Sequence, residues 1–431
     1  MNDTVKQLLQ TARGLQQAGD LNAATDYCQQ AYALAPHSPD TLYFLAVLCA
    51  QNRDFTSAEH YFKRAIALAP KRPEFYANYA NALLEQGKLV EAVEQGSIAI
   101  QLNPNQYQSH NILGNAYLLQ DEFLKACQHL GKAHELNSSY TPALSALGFA
   151  LQRQQRYAEA LHCFRHAGLL DPEDPEMLYN QAQCLQAEGQ IAAAYQCYQA
   201  LLERHPSYAK AQRCALDLDP VWCAPIVSRH LVLRILQESD SEYLHRCYAM
   251  PDFMRFYHHA LPRHHSLPIL AQKLRRHQQL HPFQSKSVDW IIWRQGNDGI
   301  ERPVGLANLV DIQFPNRRAE LLLGIPEGED RLGSTALEAS LLIMDFAFNR
   351  VQLHKLTSYV YAINPSAQKN TLSLGFKQEG WLREHILQPE SNALIDMFIN
   401  GLTVTDFRQN QRLAKLSRRL LGRDVTRGIA S

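Results

Sequence analysis

PDTLYFLAVLCAQNRDFTSAEHYFKRAIALAPKR, residues 39–72, is one copy of a pattern that recurs every 34 residues. Within it, Ala46, Ala58, Ala65 and Pro70 hold fixed places. Outward from this copy the prolines recur at Pro36, Pro104, Pro172 and Pro206, with Ser138 in the remaining slot. Small residues keep step at Ala12, Ala46, Ala80, Gly114, Gly148 and Ala182. A second series runs Ala24, Ala58, Ala92, Ala126, Ala160 and Ala194, and a third runs Ala31, Ala65, Ala99, Ala133 and Ala167. Three series sharing one period specify a repeated unit of two antiparallel helices. Small side chains let the helix backbones approach where they cross. Gly19, Gly87 and Gly189 stand where the first helix must stop, a place that favours left-handed backbone. The prolines close each unit, because Pro cannot continue a helix.

This pattern resembles the tetratricopeptide repeat family, with six units over residues 3–206. SYAKAQRCALDL then reads as a capping helix over the last apolar face, so the repeat domain is expected to span residues 3–214. By phase, Tyr43, Asn81, Asn111, Asn115 and Tyr179 line the inner surface. Asparagines there suit the backbone of an extended protein or peptide partner, although a merely solvated face is the commoner reading of such residues.

The 431 residues exceed a single core and predict two or three domains. The 42 basic and 42 acidic residues cancel, which argues against bulk electrostatic capture of nucleic acid or an anionic membrane. Nine cysteines, odd in number and without a CxxC pair, read as small buried residues in a reducing compartment. No signal peptide is read in MNDTVKQLLQ, and no apolar run approaches membrane-spanning length. The expectation is a cytoplasmic protein with no membrane span and no nucleic-acid partner.

The period fails after Cys214. LDLDPVWCAPIVSRH, residues 216–230, has two prolines and no helical period, so residues 215–229 read as a linker or docking segment. From His230 the pattern changes to apolar, β-branched and aromatic runs alternating with helical stretches, a mixed α/β domain over residues 230–405. Its most informative segment is AELLLGIPEGEDRLGSTALEASLLIMDFAF, residues 319–348, which reads strand, loop, helix. A glycine-containing loop entering a helix N-terminus presents unpaired N–H groups suited to a pyrophosphate, although an ordinary capped turn reads the same way. The remainder, residues 406–431, is a basic, helical tail that packs on its own domain or meets a partner or an anionic surface.

The order of that segment, then HKLTSYVYAIN, NPSAQKNTLSLGF and KQEGWLREHI, resembles the GNAT acetyltransferase superfamily. The expected whole is multidomain: an all-α tetratricopeptide superhelix followed by an α/β, mixed-sheet GNAT domain. The resemblance implies acetyl-CoA as co-substrate and no metal. Its cofactor contacts would be Leu323, Ile325, Arg331, Leu332, Gly333, Ser334, Thr335 and Asn364. Glu320 on the central strand is the candidate base. The resemblance puts the acid for the departing thiolate at Thr371, whose hydroxyl is a poor acid, so a water, Tyr359 or Tyr361 from the neighbouring strand are the alternatives. Two positions depart from the superfamily pattern. Asp330 stands where a Gln or Arg is usual, and Thr371 stands in the usual Tyr slot. Arg255, His258, Asp311, Arg383, Glu384 and His385 are the candidate substrate contacts. EGWLREHI and LIDMFINGL resemble both ribosomal-protein N-acetyltransferases and the pseudaminic-acid-pathway enzyme that acylates a UDP-linked 4-amino sugar. The favoured substrate is the nucleotide-linked amino sugar. A protein amine delivered by the repeats, or an acetyl-CoA-binding scaffold without turnover, are the alternatives.

Overall fold

The computed structural model describes residues 3–257, 266–295, 301–331, 334–388 and 392–428. The chain divides into two compact units, residues 1–206 and 207–431. Among the described residues, the first unit is six helical hairpins: Asp3–Gln17 with Leu21–Leu34, Pro39–Gln51 with Phe55–Leu68, Pro73–Glu85 with Leu89–Leu102, Tyr107–Leu119 with Phe123–Leu136, Thr141–Arg153 with Tyr157–Leu170, and Pro175–Ala187 with Ile191–Arg204. Every alanine of the three series is fully buried. The glycines serve the same contacts: a Cβ placed on Gly148 would lie 2.7 Å from Phe164 Cε1.

The hairpin turns share one left-handed residue. Gly19, Gly87 and Gly189 have φ of 85°, 76° and 77°. The equivalent slots hold Arg53, Asp121 and Gln155, which adopt φ of 60°, 59° and 60° despite carrying a Cβ. The expected inner-face residues are partly committed to packing. Tyr43 stacks on Phe75 with ring centroids 4.5 Å apart and accepts a hydrogen bond from Asn78 Nδ2 at 2.7 Å. Asn111 is buried.

The second unit is built on an eight-stranded sheet in the order β1-β2-β3-β4-β5-β6-β8-β7. The strands are β1 (Ile226–Val227), β2 (Leu231–Ile235), β3 (Val288–Gln295), β4 (Glu301–Gln313), β5 (Arg318–Gly324), β6 (Lys355–Tyr361), β7 (Lys377–Gln388) and β8 (Ala393–Thr403). All neighbours are antiparallel except β5 and β6. Alternation along the strands separates two cores. Ala319 and Leu321 face the helix Thr335–Asp345 and a core that includes Trp290, Leu309 and Phe346. Leu322, Leu306 and Ile291 face the helices Ser241–Tyr248, Pro251–Tyr257 and Leu267–His277.

Residues 215–229 correct the expectation of a linker. Trp222 is fully buried against Phe314 and Phe346, with centroids 5.2 and 5.8 Å away, and Ile226 is buried in β1. A buried Trp with its indole N–H bonded to Leu216 O at 3.1 Å is core, not connection. The helix Ala209–Leu218, expected to cap the repeats, falls in the second unit. Its Asp217 pairs with Arg317 at 3.0 Å, and Arg213 donates to Pro315 O at 2.6 Å. The tail forms the helix Gln411–Leu421 with Leu413 buried, and Arg423 then pairs with the buried Asp345.

Candidate active site

The two parallel strands make a fork. β5 pairs with β6 only through residues 318–320 against 355–357, and Thr357 Oγ1 donates to Ala319 O at 3.2 Å at the closed end. β5 then continues to Gly324, held on its far side by β4, while β6 continues to Tyr361, held by β8. Among the described residues no ladder joins the two beyond Glu320 and Thr357. The inward backbone groups of residues 321–324 and 358–360 are therefore left for a ligand that bonds like a strand. Leu323 is half-buried on β5, and Ile325 is buried just past it against Gly305.

Glu320 stands at the base of the fork. Burial, reinforced by the nearby Asp311 carboxylate, pushes its carboxyl up to about 7. Asp311 comes close because β4 is bulged between Val310 and Gln313, where Asp311 takes a φ of 47°. A carboxyl that changes protonation near neutral pH matches the work of a general base. Two carboxyl groups close together at the base of the fork favour the ammonium group of an acceptor there.

The helix Thr335–Asp345 follows β5 and the short helix Gly328–Arg331 in the chain. Ser334 occupies its N-cap position without making a side-chain cap bond. Thr335 is buried and its Oγ1 has no hydrogen-bond partner. An orphaned hydroxyl beside unpaired helical N–H groups fits a phosphate oxygen. Acetyl-CoA, which brings a diphosphate and an extended pantetheine arm, matches both this helix start and the open β5 edge. Arg331 closes the short helix Gly328–Arg331. Leu332, Gly333 and His258 lie outside the described residues.

Asp330 does not face a phosphate. It is 1% exposed, accepting from Arg294 Nη1 at 2.6 Å and from both Arg302 nitrogens at 2.8 Å. Its charge is spent on two guanidinium groups, so it does not oppose an anion at the loop. Asn364 is also committed: its side chain accepts from Ala367 N–H at 3.1 Å and caps the helix Pro365–Ser373. Thr371 lies in that helix, which a buried amide pair ties to the sheet. Gln368 Nε2 donates to Asn400 Oδ1 at 2.9 Å, and Asn400 Nδ2 returns a bond to Gln368 Oε1 at 3.0 Å. Tyr361 ends β6 on the open arm of the fork, on the same strand face as Thr357, the partner of Glu320.

The substrate candidates are not brought to one place. Arg255 sits on the helix Pro251–Tyr257, beside β5, with a buried Nε that has no partner. Arg383, Glu384 and His385 are exposed on β7, three strands from β5 in the sheet order. Glu384 has a φ of 49° there, and its N–H donates to Asp396 Oδ1 at 2.7 Å. Sequence reasoning missed a polar chain on the Glu320 side of the sheet. The Tyr257 hydroxyl donates to Asn308, whose amide donates to Asp289. Burial pushes the Tyr257 hydroxyl well above the ordinary phenol range. These residues are scattered from 257 to 308, so no local pattern announces them. Among the described residues, no group of three or more His, Cys, Asp or Glu is placed to hold a metal ion.

Residues 230–377 match the acetyltransferase (GNAT) domain family. The second unit carries a GNAT N-acetyltransferase domain. The match takes in the fork, Glu320 and the start of helix Thr335–Asp345, so the geometry above belongs to the GNAT domain itself. The uncharacterized N-acetyltransferase YoaA of Bacillus subtilis (strain 168) is 23% identical over 158 residues, covering 37% of this chain and 85% of YoaA. Spermidine N-acetyltransferase from Vibrio cholerae, solved with CoA and spermine, is similar at 22% identity and a TM-score of 0.34, covering 40% of this chain and 95% of that one. In the first unit, residues 9–73, 50–107, 142–174 and 175–208 match tetratricopeptide repeat families. Pseudomonas aeruginosa pilF is similar at 19% identity and a TM-score of 0.45, covering 49% of this chain and 96% of pilF. No helix of the described residues is long and apolar enough to cross a membrane.

Proposed function

We propose that the GNAT domain moves the acetyl group of acetyl-CoA onto the amine of a small molecule, with a nucleotide-linked 4-amino sugar as the favoured acceptor and the repeats as a docking module for a protein partner. The observation that carries this reading is Glu320 at the base of the β5–β6 fork with its carboxyl near 7. The pantetheine arm bonds the free edge of residues 321–324, which brings the thioester beside Glu320. Glu320 takes a proton from the ammonium, directly or through water. The amine nitrogen then attacks the carbonyl carbon, the new N–C bond forms, and the C–S bond breaks. A backbone N–H near Leu323 steadies the oxyanion, an effect worth about 10²–10³ in rate. Tyr361 or Thr371 gives a proton to the departing thiolate, and the second proton shed by the amide nitrogen, carried directly or through water, restores it. Arg255, with a buried nitrogen still unpaired, supports a phosphorylated acceptor, since guanidinium suits a diphosphate.

The test is thiol release from acetyl-CoA by the full chain, with separate panels of amino-sugar nucleotides, polyamines and peptides. Turnover confined to the sugar nucleotides supports the reading. Turnover confined to peptides replaces it with a protein N-acetyltransferase. Acetyl-CoA binding with no release in any panel leaves a scaffold.

A further inference from the structure

Arg294 on β3 and Arg302 on β4 stand directly opposite each other in the ladder. Two like charges in that position repel, so the pair needs an anion between them. Asp330 supplies it with three charge-assisted hydrogen bonds of 2.6 to 2.8 Å, from a carboxylate that is almost fully buried. Asp330 belongs to the short helix Gly328–Arg331, which comes between β5 and the helix Thr335–Asp345. The clamp therefore anchors that short helix, which packs against the helix Thr335–Asp345, beyond the end of the strand that offers its edge to pantetheine. Asp330 points into the clamp and is too deeply buried to touch a substrate. Arg302, by contrast, keeps half of its side chain exposed.

We propose that Asp330, held by Arg294 and Arg302, is a positioning residue for acetyl-CoA: through the short helix Gly328–Arg331 it sets the start of the helix Thr335–Asp345 relative to the β5 edge. This rests on the acetyl-CoA reading above. The clamp acts on cofactor binding and leaves the amine chemistry at Glu320 alone. It also accounts for an acidic residue close to a phosphate site, because the net charge of the three groups is positive.

The experiment measures acetyl-CoA binding by calorimetry and steady-state kinetics on the full chain, its Asp330→Asn and Asp330→Ala variants, and Arg302→Lys. The KM and Kd for acetyl-CoA are expected to rise roughly tenfold or more in Asp330→Asn, the scale of one charge-assisted hydrogen bond. kcat at saturating acetyl-CoA should change by less than about threefold, and the amine KM should not move. Added formate should restore part of the lost affinity in Asp330→Ala by refilling the space between the arginines. Arg302→Lys, which keeps the charge and loses the two-pronged contact, should fall between wild type and Asp330→Asn. Thermal unfolding of each variant reports whether the fold survives, and Arg302→Lys decides if the Asp330 variants do not fold. A wild-type chain that binds acetyl-CoA, with Arg302→Lys binding it equally well and only the melting temperature moving, overturns the positioning role alone. A wild-type chain that does not bind acetyl-CoA overturns this proposal together with the reading beneath it.

Discussion

A carboxyl held near 7 on a folded strand carries a thermodynamic signature. The folded value of Glu320 lies above the ordinary 4.5, so the unfolded chain accepts its negative charge more readily. Its contribution to stability is present below about pH 4.5 and is lost as pH rises through about 7. Glu320→Gln should therefore raise the melting temperature of the second unit at pH 8 and leave it unchanged near pH 4. The same variant should lower kcat by roughly 10²–10⁴ and remove the rise in rate across pH 7. Unchanged turnover would dismiss Glu320 as the base. Thr335 makes a parallel case. A buried hydroxyl without a partner costs about 1–3 kcal/mol, so Thr335→Val should stabilise the free protein. If the hydroxyl serves a phosphate, the same change weakens acetyl-CoA binding. Stabilisation with unaltered affinity would show that the hydroxyl does not serve the ligand. Glu320 was legible as the candidate base on the central strand once the order of motifs pointed to the superfamily. Its raised value was not, because it depends first on burial in the folded sheet and then on a bulge that brings Asp311 close. Asp330 was legible only as a misplaced charge, since Arg294 and Arg302 lie 36 and 28 residues away along the chain.

Elements carry the part of the fold that the sequence announced most clearly. A 34-residue period names the same contact six times, so each buried alanine confirms the others. The left-handed slot in every hairpin turn follows the same logic, and the glycines mark it in three of the six. Arg53, Asp121 and Gln155 fill the other three at a cost, because a Cβ disfavours positive φ. Gln155→Gly should stabilise the first unit by about 0.5–1 kcal/mol, read as a higher urea midpoint at constant slope. Asp121→Gly should gain less, since Asp tolerates this region better. Gly87→Ala should move the midpoint the other way. Equal midpoints in all three would mean that the turns relax freely. The second unit lacks such redundancy. Its strands were readable from their apolar runs, but residues 215–229 were not: two prolines and no period resemble a linker, and only the packing of Trp222 against Phe314 and Phe346 shows a core segment.

At the scale of the molecule, two units with separate cores should unfold in two transitions, and each should answer to its own chemistry. Acid should act on the first. Burial, then the neighbouring His110, holds His129 below the ordinary value, and burial, then His166 and His162, does the same to His134, with Glu135 opposing. His110 Nδ1 lies 3.2 Å from His129 Nδ1, and Tyr117 stacks on His129 beneath Lys125, so a second proton there meets repulsion. The unfolded chain binds these protons more readily below about pH 6.5, so the first transition should fall in temperature as pH drops from 7 to 5. Replacing His129 and His134 by Gln should flatten that slope. Acetyl-CoA should act on the second transition. A ligand at 100 times its Kd adds about 2.7 kcal/mol to the unit that binds it, which raises the melting temperature of a unit this size by roughly 5–10 °C. Scanning calorimetry of the full chain with and without acetyl-CoA separates the cases. A shift of the second peak alone locates the binding energy in the GNAT domain. A matching shift of the first peak would mean that the repeats feel the cofactor, and the two units would then have to be treated as one thermodynamic body.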